Sequence, residues 1–176
     1  MADAEATTPP VPARLAADLG LFAARLLLGG MFVWLAIGKL QDPPAFLKAV
    51  RAYEILPSSP PWLLNGVAVS LPWIELLGGT LLILGLLRRG VAVVLAASLL
   101  LFTTAIFFRA QGIHASEGTP FCSIAFDCGC GTGETLICWK LAENLLLLAV
   151  AVFLVFAPSG RLALSALAGR GARKHA

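Results

Sequence analysis

Four stretches of this chain, 19–37, 63–87, 91–108 and 136–157, are apolar almost all the way round. A helix on a soluble core keeps a polar stripe toward water, and these stretches have none. Crossing the hydrocarbon of a bilayer takes about 20 apolar residues. Each stretch is close to that length, so lipid is the solvent that suits them. Composition agrees: hydrophobic residues make up 59% and charged residues 13%, against about 25% charged in a soluble domain. An ordinary globular fold is excluded. The net charge of +3, scattered over 176 residues, excludes a nucleic-acid surface. The fold class that follows is all-α, a four-helix transmembrane bundle forming one domain over 15–158.

The first stretch is preceded by Asp3, Glu5 and Asp18 against Arg14. A signal peptide needs a basic leading region, so this stretch reads as a retained span. Four spans place both ends of the bundle on one side. Arg14, the Arg88-Arg89 turn and the basic stretch 159–176 then share a side, facing Lys39, Lys48, Arg51, Arg109 and Lys140 across the bilayer. The positive-inside rule puts the first group in the cytoplasm. The expected location is a bacterial inner membrane. Residues 1–14, rich in Ala, Thr and Pro, are expected to be a disordered tail, and 159–176 a basic tail on cytoplasmic lipid. Between the first two spans, Asp42 is a candidate N-cap for a short helix beginning at Pro43-Pro44. Phe46, Leu47, Val50 and Tyr53 recur at helical spacing, which predicts an amphipathic helix on the outer membrane surface, ending at Leu56-Pro57.

Arg25 and Glu75 are charges inside apolar spans. Such groups face the bundle interior and find partners. They are expected to form an ion pair with each other, fixing how the spans pack; the functional alternative is a quinone or proton site. Lys39, Arg109, Lys140 and Glu143 gather at the outer ends of the spans, with Asn144 inside the fourth. Cations near a thiol favour the reactive thiolate, or they anchor the helix ends by snorkelling. No histidine lies in a span, so an axial pair for haem is missing, and His114 reads as a loop residue.

All four cysteines gather from the loop after the third span to the first turn of the fourth, as C-x5-C-x-C-x7-C. Cys128 and Cys130 flank Gly129, and a bond across so short a loop is strained and readily reduced. With Thr135 as N-cap, Cys138 would be the third residue of the last helix, and its thiolate would feel the positive helix end. Four cysteines allow three pairings. Three uses remain open: exchangeable disulfides at Cys122, Cys128, Cys130 and Cys138, two structural disulfides, or a four-thiolate zinc or iron–sulfur site. The spacing lacks the paired C-x2-C knuckles typical of zinc.

Taken in order, several pieces resemble the MauE/DoxX-like membrane proteins. They are Arg25 with Gly29-Gly30, Gly38-Lys39-Leu40 with Asp42-Pro43, Phe46, and Tyr53-Glu-Ile-Leu-Pro57. Leu71-Pro72-Trp-Ile-Glu75-Leu-Leu-Gly-Gly79, Phe102, Cys128-Gly-Cys130-Gly131 and Asn144 follow. The resemblance covers about 20–157. It implies a four-span bundle with a cysteine pair beside the outer end of the last span, acting in disulfide handling or maturation of periplasmic redox enzymes. The chain departs from that pattern in having Gly131 directly after Cys130, where the family has phenylalanine and then glycine, and in its additional thiols Cys122 and Cys138. Two functions are compatible. One is a thiol–disulfide oxidoreductase serving a periplasmic redox protein, with a membrane quinone near Arg109 by analogy with other four-span thiol oxidases. The other is a non-catalytic subunit of a larger membrane redox or respiratory complex, its cysteine loop held by structural disulfides or a metal.

Overall fold

The computed structural model of the protein describes residues 11–54, 60–127, 129 and 133–158. Its frame is four long apolar helices: α1 (Val11–Gln41), α3 (Pro61–Leu84), α4 (Arg88–Glu117) and α5 (Ile137–Phe156). All four are long and apolar enough to cross a membrane. Their outward faces carry large bare apolar side chains, among them Leu101 at 72% and Phe156 at 80% exposure. Against water such a surface would drive aggregation; against lipid it costs nothing. The chain is therefore a multi-pass membrane protein.

The helices run further than the apolar stretches that announce them. Residues 11–14, expected in the tail, already belong to α1. Helix α4 continues past the apolar 91–108 through Arg109 and His114 and stops at Gly118, whose φ of +68° suits glycine. His114 thus lies on the last turn of a helix, its Nδ1 2.7 Å from the Thr119 carbonyl, rather than in a loop. The tails 1–10 and 159–176 and the turn 55–59 lie outside the described residues.

Helix α1 packs most closely on α3, and α4 on α5. The α1–α3 crossing is set by glycine. A Cβ on Gly29 would lie 2.7 Å from the Gly79 carbonyl oxygen, and one on Gly79 would lie 2.7 Å from the Gly29 carbonyl oxygen. The two backbones meet here, with the Ile83 and Val33 side chains packed against the same contact. Leu28, Phe32, Leu82, Leu95 and Leu154 fill the core on the α1/α3/α4/α5 axis. The crossing also fixes which residues of α1 and α3 lie level, and so governs the charges discussed below.

The short helix expected after the first span is α2 (Pro43–Ala52). Asp42 caps it, its carboxylate accepting the Ala45 N–H at 3.0 Å, with prolines in the first turn. Its apolar face does not rest on bare lipid. Phe46 and Val50 pack onto Leu64 and Ala68 of α3, with Phe102 of α4 against the same cluster. After α4 the chain makes a 3-10 turn (Phe121–Ser123) and an antiparallel hairpin, β1 (Ala125–Asp127) with β2 (Glu134–Leu136), which feeds directly into α5.

Glycine at the helix crossing carries a sharp expectation. Gly79→Ala should cost about 1–3 kcal/mol, because backbone rather than a movable side chain blocks the new methyl. Gly30→Ala, with nothing within 4 Å of its added Cβ, should be neutral or slightly stabilising. Thermal unfolding of the two purified variants beside wild type checks the contrast.

Candidate functional site

Charge organises the outer half of the bundle. The Lys39 ammonium donates to both oxygens of Glu75, at 2.7 and 2.6 Å, with both side chains buried. Two aromatic rings face the same nitrogen, Phe46 of α2 at 5.3 Å and Phe102 of α4 at 4.9 Å from the ring centroids. One cation therefore draws on α1, α2, α3 and α4 together. A carboxylate supplies the counter-charge and two π faces supply softer attraction.

The expected Arg25–Glu75 pair is not what forms. Glu75 is taken by Lys39, while Arg25 donates from Nε to the Leu82 carbonyl at 3.0 Å and from Nη2 to the Ile83 carbonyl at 2.8 Å. Both carbonyls lie in the last turn of α3, and that of Leu82 also accepts the Gly85 N–H at 3.0 Å. A guanidinium there also complements the negative helix end. Arg88 does likewise for α5, donating to the Ala157 carbonyl at 2.6 Å. The reason for the exchange is register. With Gly29 level with Gly79, Arg25 falls beside the inner end of α3. Lys39 lies about 21 Å further along α1. Its side chain leans back toward the N-terminus, as helical side chains do, and reaches Glu75.

The outer cations expected as one group separate into distinct pairs. Besides Lys39 with Glu75, Arg109 pairs with Glu54 at 2.9 Å, and Lys140 with Glu143 at 3.0 Å. The Arg109 pair is open to solvent and contributes little. Lys140 and Asn144 are both buried on the inward face of α5. Arg109 also lines a cavity of about 370 Å³ together with Lys48, Ala49, Tyr53, Phe126 and Asp127.

Cys122 and Cys138 are joined by a disulfide. It links the 3-10 turn before β1 to the first turn of α5 after β2, so it staples the base of the hairpin. The Ile137 N–H, donated to the Ile124 carbonyl at 3.0 Å, closes the same base. In the bonded state these sulfurs have no thiolate to offer a metal, so the four-thiolate set of Cys122, Cys128, Cys130 and Cys138 is not assembled. The cap expected from Thr135 is not made either. Thr135 is the middle residue of β2, and its Oγ1 is buried without a hydrogen-bond partner. Helix α5 begins at Ile137, which makes Cys138 its second residue.

Cys128 and Cys130 lie outside the described residues, but the glycine between them is placed. Gly129 is buried with φ of +70°, and its N–H donates to the Asp127 carboxylate at 2.9 Å. A Cβ there would lie 2.7 Å from the Ala49 Cβ and 3.2 Å from Phe46 Cδ2. The middle of the C-x-C motif therefore sits directly on α2. Sequence reasoning passed over Asp127 and Glu54. An acid directly before a Cys-Gly step was the available signal for Asp127. Glu54 gave none, since it follows α2 with φ of +57° in a turn no periodicity marks.

Comparison with known families matches residues 17–157 to the one described as Methylamine utilisation protein MauE. No curated protein and no solved structure matches the chain.

The staple yields a direct expectation. Peptide mapping without reductant should recover Cys122 linked to Cys138. Cys122→Ser should cost about 3 kcal/mol of unfolding free energy, as loops of this length do, read by denaturant or thermal melts with and without reductant.

Proposed function

The chain belongs to the MauE family, and from that premise we propose that it exchanges disulfides with client proteins, through Cys128 and Cys130, in the maturation of redox proteins outside the cytosol. One observation carries the reading: Cys122 and Cys138 are bonded to each other. They lock the base of the hairpin and leave Cys128 and Cys130 as the cysteines the staple does not use. Three paired residues separate base from tip, about 10 Å of strand. The stapled pair is thus a support for the tip. The second exchanging pair that its composition alone allowed is given up.

The exchange balances without further reagents. A client thiolate attacks the Cys128–Cys130 disulfide, forming a mixed disulfide and releasing one thiolate. The second client thiolate then displaces the other. The client loses two electrons and two protons, and Cys128 and Cys130 end as thiols. Re-oxidation needs a two-electron acceptor soluble in lipid, for which a membrane quinone is the fitting class; it would leave as the hydroquinone. The cavity lined by Arg109, Tyr53, Phe126 and Asp127 adjoins Cys128 in sequence and is of ordinary ligand size. We assign the quinone there.

The hairpin is read as facing the non-cytosolic side of a bacterial inner membrane, where disulfides persist. The excess of Lys and Arg on the opposite side supports that orientation.

The test is oxidation of a two-cysteine peptide by the purified protein with a short-chain quinone. Wild type should turn over, and Cys128→Ser and Cys130→Ser should each lose at least about 100-fold. A peptide whose one cysteine is already in a disulfide with thionitrobenzoate should be trapped as a mixed disulfide, with thionitrobenzoate released, by one of the two variants. Cys122→Ser with Cys138→Ser should retain exchange wherever it stays folded. Wild-type protein that oxidises no peptide, together with Cys128 and Cys130 variants that merely fall out of a larger membrane complex, would overturn the reading in favour of an assembly subunit.

A further inference from the structure

We propose that Lys39 is a positioning residue for Cys128 and Cys130, acting at a distance through Phe46 and helix α2; the inference rests on the exchange role given above for those cysteines. The chain of contact is short. Gly129 lies on Phe46 and Ala49. It is bonded on either side to the two cysteines, whose Cα atoms are each 3.8 Å from its own across trans peptides. Wherever α2 presents Phe46 and Ala49, Gly129 follows. Phe46 is itself 3% exposed. Its ring faces the Lys39 ammonium, which Glu75 holds in a two-pronged grip.

Helix α2 needs such an anchor. It has ten residues, too few to hold a helix in isolation. Its start is fixed by Asp42, and its body is held by the packing of Phe46 and Val50 on α3. The same ammonium lies against Phe102 of α4, so the cation joins α2 to two neighbouring helices at one point. Replacing Lys39 by an apolar residue leaves Glu75 as a buried, uncompensated carboxylate. A proton, water or movement of α2 can relieve it, but in each case the Phe46 ring has lost the cation it faces. The two-residue spacing of the motif makes the loop sensitive to this. With φ of +70° and no room for a methyl against Ala49, Gly129 itself is closely fitted to α2.

The bundle contains its own control. Arg25 is as buried as Lys39, at 4% each, but it donates to carbonyls at the far end of α3. Losing either cation should weaken the bundle. Losing Lys39 alone should loosen the cysteine loop.

The experiment is hydrogen exchange by mass spectrometry on the full-length protein in lipid nanodiscs, comparing peptides over 43–53 and 125–136 with those over α5. Lys39→Met should raise exchange in both outer segments by about tenfold or more. Phe46→Leu, which leaves the ion pair in place, should do the same, and supports the test if Lys39→Met does not fold. Lys39→Arg, which keeps the cation, should stay within about threefold of wild type. Arg25→Met should leave 125–136 at the wild-type rate. Alkylation of Cys128 and Cys130 by iodoacetamide, after reduction, should rise in parallel with the exchange of 125–136. Unchanged protection of 125–136 in both Lys39→Met and Phe46→Leu would overturn the proposal, as would an equal rise in Arg25→Met. Amide exchange does not depend on client chemistry. A wild-type protein that fails to oxidise peptide therefore removes the functional reading, while the exchange data judge the coupling by themselves.

Discussion

A charge buried among apolar helices must be matched by another, and in this protein the match is Lys39 with Glu75. Neither end is tolerable alone in that setting. Together they require α1 and α3 to stand in one register, because a slide of one helical turn would carry the ammonium about 5.4 Å from the carboxylate. The Gly29–Gly79 contact sets that register from below by letting the two backbones meet. Polar attraction and close packing thus specify the same arrangement, which is what lets a bundle with little hydrophobic drive between its helices adopt a single structure.

The two ends of the bundle use cations for opposite purposes. At the end away from the hairpin Arg25 and Arg88 donate to carbonyls at the C-terminal ends of α3 and α5. At the outer end Lys39 recruits a carboxylate and two rings from three other helices. Above it lie α2, then Gly129, then the hairpin stapled by Cys122 and Cys138. This end therefore joins the buried ion pair to the base of the hairpin through α2 and Gly129. Asp127, which holds the Gly129 N–H, belongs to the same connection.

The spans, the all-α bundle, the capped helix α2 and the gathering of the cysteines around the start of the last helix were legible in the sequence, because each is written in local pattern: apolar run length, Asp before Pro-Pro, and spacing of thiols. The family was legible too, from an ordered set of residues that included Lys39, Phe46, Glu75 and Phe102. What those four do together was not. Measuring depth from the ends of apolar runs made Arg25 look near enough to Glu75, because it assumed that the spans begin and end level. They do not: α3 extends past the end of α1 to meet α2. The glycine pairs held the missing information, since fixing Gly29 against Gly79 carries Arg25 to Leu82 and leaves Glu75 to Lys39. The Thr135 cap failed for a different reason. The hairpin's pairing claimed that residue for a strand, and pairing over so short a strand leaves no sequence signal.

Lys39 and Glu75 should depend on each other energetically, and a double-mutant cycle reads that dependence from the unfolding free energies of wild type, Lys39→Met, Glu75→Leu and the double variant in one detergent. Each single change should cost about 3–5 kcal/mol while the double variant recovers much of the loss, since it buries no unmatched charge. Single costs that add to within about 0.5 kcal/mol in the double variant would contradict it.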